Sequence, residues 1–215
     1  LGAARQIEDN TAVLMAGGLD GDKLLRRTEG IIGREIRGKG PGGPDACRFL
    51  GSLTCKGPVW RFDTAAALCP KVYQLQDSFG FAAPMLEQIR AAARGRGYRA
   101  IVCPDPEHID RIQHLLLPDL GLAFVTSREG MVYDGPAYRR VRLDAMMPGS
   151  YYKQHKSRLK FVRRVVEVLR AEGLEALREA KAAHDALEAV YVPYVDFDGV
   201  NACTARELER IESYL

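Results

Sequence analysis

Between Lys71 and Arg90 the chain reads KVYQLQDSFGFAAPMLEQIR. An apolar-rich stretch with β-formers, a tight turn containing a glycine and a run of helix formers make a strand, a loop and a helix. In a phosphate-binding P-loop this junction reads G-x-x-x-x-G-K-[ST]. Backbone N–H groups cradle phosphates, the lysine reaches the outer phosphates and the hydroxyl holds Mg²⁺. The loop here is Asp77, Ser78, Phe79, Gly80, Phe81, Ala82, Ala83 and Pro84. Its length and position fit a P-loop, but its chemistry does not. Asp77 stands at the first glycine, Ala82 at the second, Ala83 at the lysine and Pro84 at the hydroxyl. Ala83 lacks a charge-assisted contact of about 1.5–3 kcal/mol. Pro84 lacks a backbone donor, although proline suits the first turn of a helix. Asp77 puts negative charge where a phosphate would sit. The helix N-terminus still favours an anion by about 1 kcal/mol, and Asp77 is placed to take that position itself. The competing reading is an ordinary strand-to-helix turn with no ligand.

A second requirement of P-loop hydrolysis is an aspartate at the end of an apolar strand, organising Mg²⁺ and water. The candidate strand GLAFVTS ends instead in Thr126 and Ser127. With Cys103 and Asp105 these two would line a crevice at the carboxyl ends of the strands, where open α/β sheets hold ligands. No catalytic residue is assigned. No cofactor is expected, ATP with Mg²⁺ being the only candidate. The segment CPDPEHIDRIQH gathers Asp105, Glu107, His108, Asp110 and His114. Asp105, His108 and Asp110 could converge on a metal, but no ligand spacing is met, so the segment reads as a solvated acidic loop and helix face. His184 falls on an apolar helical stripe and reads as a core histidine. Lys153, Lys156, Arg158, Lys160, Arg163, Arg164 and Arg170 share a helix whose other face is apolar. A solvated face is favoured there over a nucleic-acid surface, because aromatic interleaving is limited to Tyr151, Tyr152 and Phe161. Ser78, Ser127 and Cys103 have no base partner at a recognisable spacing.

The elements that must position these residues follow from periodicity. A helix is expected from about Asp20 to Ile36. GKGPGGPDA is a linker or long loop. CRFLGSLT and PVWRFDT suggest short strands. KVYQLQ, YRAIVCP, GLAFVTS and YRRVRLD read as further strands, the last nearer an edge because it alternates charged and apolar residues. PMLEQIRAAARGRG reads as a helix with Met85, Leu86, Ile89 and Ala93 on one face, and PEHIDRIQHLL as a short helix. Strands alternating with helices predict an α/β fold, an open parallel sheet with helices on both faces. The tail predicts a helical hairpin that turns at Gly173 and buries Leu159, Val162, Val166, Leu177, Leu187 and Tyr191. A final helix over NACTARELERIESYL would be capped by Thr204 with Glu207 three residues on. The expected division is 1–44 as helix and linker, 45–150 as α/β core and 151–215 as helical tail. The chain has 215 residues, is 47% hydrophobic and 27% charged, and carries a formal net charge of +3. That mild basicity names no partner. No apolar run is long enough to span a membrane and no charged-then-apolar leader opens the chain. The cysteines Cys47, Cys55, Cys69, Cys103 and Cys203 are irregularly spaced, which favours reduced thiols in a cytoplasmic protein over disulfides or zinc.

Several ordered segments resemble one family: RFLGSLTCKGPVWRFD, VYQLQDSFGFAAPMLEQI, GYRAIVCPDPEHID, LLLPDLGLAFVTS, YDGPAYRRVRLD and AKAAHDALEAVYVPYVDFD. They resemble a group of bacterial ATPase-like proteins with two consecutive P-loop domains. The resemblance covers about Phe49 to Leu215 and is nearest to the second half of such a chain. It implies a P-loop NTPase-like core and makes the residues before Gly38 the end of a first half. It also implies an intact P-loop ATPase domain as partner, in the same or another chain. Because Ala82, Ala83 and Pro84 replace the glycine–lysine–hydroxyl core, the resemblance implies a degenerate, non-catalytic half, the alternative being a nucleotide- or phospholigand-binding enzyme that uses the same crevice without a lysine.

Overall fold

The computed structural model describes residues 1–214; Leu215, the last residue of the expected final helix, lies outside them. By compactness the chain divides between Leu174 and Glu175. The expected boundaries near 44 and 150 both lie within the first unit.

The first unit opens with helices α1 (Gly2–Ala16) and α2 (Gly21–Glu35). Asp20 starts α2 by accepting the Lys23 N–H at 2.9 Å. Met15, Leu24, Ile31 and Ile36 from this segment are buried in the main core. The strands are β1 (Ala46–Cys47), β2 (Gly51–Thr54), β3 (Gly57–Trp60), β4 (Lys71–Gln76), β5 (Ile101–Asp105), β6 (His108–Leu117), β7 (Leu122–Ser127) and β8 (Arg139–Arg142). β2 and β3 form a separate hairpin. The other six make one sheet in the order β1-β5-β6-β7-β4-β8. Every neighbouring pair is parallel except the two involving β6. β8 lies at an edge, as its alternation suggests. The fold is therefore α/β with a mostly parallel sheet.

Helix α4 (Ala82–Gly95) follows β4 and buries Met85, Leu86, Ile89 and Ala93. Its end is a Schellman turn: Tyr98 N–H donates to Ala93 O and Gly97 N–H to Arg94 O. The turn needs the left-handed φ of +79° that Gly97 supplies. On this face of the sheet α4 and α2 cover Tyr73, Leu75, Leu115, Leu117 and Phe124. On the other face, helix α3 (Phe62–Leu68) brings Phe62 and Ala65 against Val72, Cys103, Leu116, Ala123 and Val125. Helices thus lie on both faces. The strand expected through Phe62 and Asp63 is instead the start of α3.

Two elements differ more sharply from expectation. PEHIDRIQHLL is strand β6 and not a helix. It is held between β5 and β7 in the middle of the sheet, with 112–117 buried on both faces. A strand buried on both faces has no alternation to betray it, and its apolar run is indistinguishable from a buried helical segment. The tail is not a hairpin. Helix α5 runs unbroken from Gly149 to Tyr191. Gly173 stays helical, and a Cβ there would come within 2.7 Å of the Leu1 side chain. The Leu1 side chain packs close to Gly173, and a larger residue there would require Leu1, itself partly exposed, to move. In the first unit α5 buries Leu159 and Val166, with Val162 half-buried.

The second unit, Glu175–Leu215, contains the end of α5, a 3₁₀ turn at Val192–Tyr194 and helix α6 (Phe197–Glu212). Asp196 caps α6, accepting the Gly199 N–H at 2.9 Å. Thr204 is no cap: it lies inside the helix and its hydroxyl donates to Val200 O. Leu177 is half-buried, and Leu187 and Tyr191 are exposed, so the expected tail core is absent beyond Val166. Replacing Leu187 by Ala therefore changes stability by less than about 0.5 kcal/mol in denaturant unfolding. Leu159→Ala, at a buried site, costs about 2–5 kcal/mol in the same measurement. Similar losses for the two variants would contradict this division of the tail.

Candidate functional site

The turn between β4 and α4 is closed by its own first residue. Asp77 is buried, and its carboxylate accepts the N–H groups of Phe79 at 3.2 Å, Phe81 at 2.9 Å and Ala82 at 2.8 Å. Gly80 makes this wrap possible with φ +82°. Helix α4 then begins, with Ala82, Ala83 and Pro84 in its first turn. Ala82 N–H, an orphan donor at any helix start, is already occupied by Asp77. The carboxylate sits where the positive end of the helix would receive an anion.

Ser78 faces elsewhere. Its N–H and hydroxyl both donate to Asp144, at 2.9 and 2.8 Å. Burial raises the Asp144 carboxyl above its ordinary range, and the nearby Asp77 adds to that, against the two Ser78 hydrogen bonds. The rings of Phe79 and Phe81 pack at 5.6 Å between centroids, Phe81 buried in the core.

A crevice opens beside this turn at the ends of β4, β5 and β7. Asp77, Gly80, Ala83, Asp105 and Thr126 border it, together with Arg111 and Arg128. Its free room is about 20 Å³, enough for a water molecule and far below the several hundred Å³ of a small-molecule site. Asp105 is buried, which works to raise its carboxyl. The Glu107 N–H and the charges of Arg128 and Arg111 outweigh that and hold it below the ordinary carboxylate range. Arg111 reaches Asp105 at 3.2 Å.

The other two expected crevice residues are not on its lining. Cys103 is buried on the α3 side of the sheet, and burial pushes its thiol up to about 12. Ser127 uses its hydroxyl to accept Gln74 Nε2 and Tyr133 N–H, tying down the loop after β7. Cys69, also buried, is pushed up to about 11. Neither buried cysteine is a nucleophile at neutral pH.

Asp105, Glu107 and His108 of the β5–β6 hairpin are bound to arginines and to α1. His108 Nε2 lies 2.7 Å from Asp9. Arg170 bridges Glu8 at 2.7 Å and Glu107 at 2.6 Å. Asp110 is exposed and apart. Among the described residues, no group of three or more His, Cys, Asp or Glu is placed to hold a metal. His114 is buried beside the Phe62 ring, with Nδ1 accepting the Thr126 N–H at 3.1 Å. His184 is not a core histidine: it is exposed and pairs with Glu188 at 3.2 Å. Arg111, Arg128 and Asp144 were missed by sequence reasoning. The sequence pattern puts Arg111 on a helix, and Arg128 and Asp144 each follow a strand end with no motif to mark them.

No family model, curated protein or solved structure matches the chain. No helix among the described residues is long and apolar enough to cross a membrane.

Proposed function

We propose that the chain is a non-catalytic, ATPase-related α/β domain with a degenerate P-loop, in a structural or regulatory role beside an intact P-loop ATPase domain. The observation that carries this reading is the Asp77 carboxylate on three N–H groups of its own loop. An acidic side chain that satisfies these donors leaves little for a phosphate and repels it. The small crevice and the lack of lysine at Ala83 and of a carboxylate at Thr126 and Ser127 add support. The ATPase domain as partner rests on the family resemblance.

Titration calorimetry with ATP and Mg²⁺ tests the reading. The expected result is no binding tighter than about 10 μM, roughly 7 kcal/mol. Tighter binding, or hydrolysis that disappears when Asp77 is replaced, would show a working nucleotide site.

A further inference from the structure

Helix α5 carries a stripe of cations with almost nothing to neutralise it. Lys153, Lys156, Lys160, Arg163 and Arg164 are all exposed. At about 100° per residue they share an arc of about 100° on one side of the helix, with the buried Leu159 and Val166 about a quarter to a third of a turn from its centre. At a rise of about 1.5 Å per residue, the first four follow one another at about 4.5–6 Å along the axis, and the whole stripe spans about 16 Å. No acidic residue occurs in α5 before Glu167. Arg163 pairs with the exposed Glu129 at 2.9 Å. The other four make no side-chain hydrogen bond or ion pair among the described residues. Phe161, beside Lys160 and one turn from Arg164, is 68% exposed. A large aromatic ring left in water among unpaired cations is the pairing that single-stranded nucleic acids use, with phosphates on the cations and a base on the ring.

We infer that this stripe docks the backbone of a single-stranded nucleic acid, with Phe161 stacking on a base. A membrane fits less well. An amphipathic helix enters a bilayer with its apolar face, and in this part of α5 the residues of that face, Leu159 and Val166, are already buried. The inference stands on different residues from those of the proposed degenerate loop, so either can fail alone.

The test is fluorescence anisotropy of the whole chain with a labelled oligo-dT and an oligo-U at about 50 mM salt. Binding is expected. With four to five phosphate contacts, affinity should fall about 50–130-fold between about 50 and 200 mM salt. Lys153→Glu with Lys160→Glu should abolish binding, while Lys39→Glu with Lys56→Glu, an equal charge change elsewhere on the surface, should retain most of it. Phe161→Ala should weaken binding about 5-fold or more with the salt dependence unchanged. Absence of binding at low salt overturns the inference. So does an equal loss in both charge-reversal variants, or an unaltered affinity in Phe161→Ala. Binding to phosphatidylserine vesicles without binding to either oligonucleotide assigns the stripe to a lipid surface and overturns it too.

Discussion

Replacing Asp77 by alanine is expected to destabilise the first unit by about 3 kcal/mol. The change removes an acceptor that serves three backbone donors at once, at 3.2, 2.9 and 2.8 Å. Phe81 and Ala82 are buried, so solvent cannot fully replace the carboxylate. Each donor left unpaired costs on the order of 1–3 kcal/mol, but relaxation of the loop keeps the three from adding. Asp77→Asn keeps one side-chain oxygen and should lose about half as much. A second readout separates the seat from the mere loss of a cap. With the carboxylate gone, the vacated donors and the α4 N-terminus form an anion site. Inorganic phosphate or sulfate at millimolar concentration should then raise the melting temperature of Asp77→Ala more than that of the parent. An alanine variant as stable as the parent, or equal salt effects on both proteins, would show that Asp77 does not hold the place of an anion.

The strand–turn–helix junction was legible because its signals are local. Gly80 and Pro84 mark a turn and a first helical turn by backbone chemistry that needs no knowledge of neighbours. The charge of Asp77 at a helix start is also a local fact. The three donors it collects are not, since which N–H groups converge depends on the loop's path. Arg111 and Arg128 were illegible for a related reason. They meet Asp105 only because β6 returns antiparallel beside β5, and the sequence pattern of β6 mimics a helix. Ile109, Ile112 and Leu116 mimic one helical face, although 112–117 is buried on both sides of a sheet. Pro104, at a register shift between β5 and β6, is placed where a missing N–H interrupts no regular ladder. In the tail, Gly173 resembles a break because a glycine has two uses that look alike in sequence, left-handed backbone and close approach. Here it stays helical, with Leu1 packed close to it.

Acid should unfold the protein earlier than its carboxylates alone require, because of His114. Burial drives its imidazole from the ordinary 6.5 down to about 3; the Arg128 charge pushes the same way and Asp105 opposes. The neutral ring is what the fold needs, since Nδ1 accepts the Thr126 N–H and must be unprotonated. In the folded state the pKa lies below that of the unfolded chain. As pH falls below about 6.5 the unfolded chain takes up a proton that the folded protein refuses, so stability drops. The loss runs at about 1.4 kcal/mol per pH unit down to about pH 3, reaching about 3 kcal/mol at pH 4. Asp105, held below the carboxylate range, adds its loss at lower pH, as its folded form is finally protonated. Asp144, raised by burial, gains stability as pH falls through the carboxylate range and offsets part of the loss. His114→Asn isolates the histidine, because an amide oxygen can still accept from Thr126 but does not titrate. The variant starts less stable, having lost ring packing against Phe62. Its urea midpoint should nevertheless be flat between about pH 6.5 and 5, where the parent's falls steadily. A parent midpoint that is constant over that range, or an asparagine variant with the parent's slope, would place the acid sensitivity elsewhere.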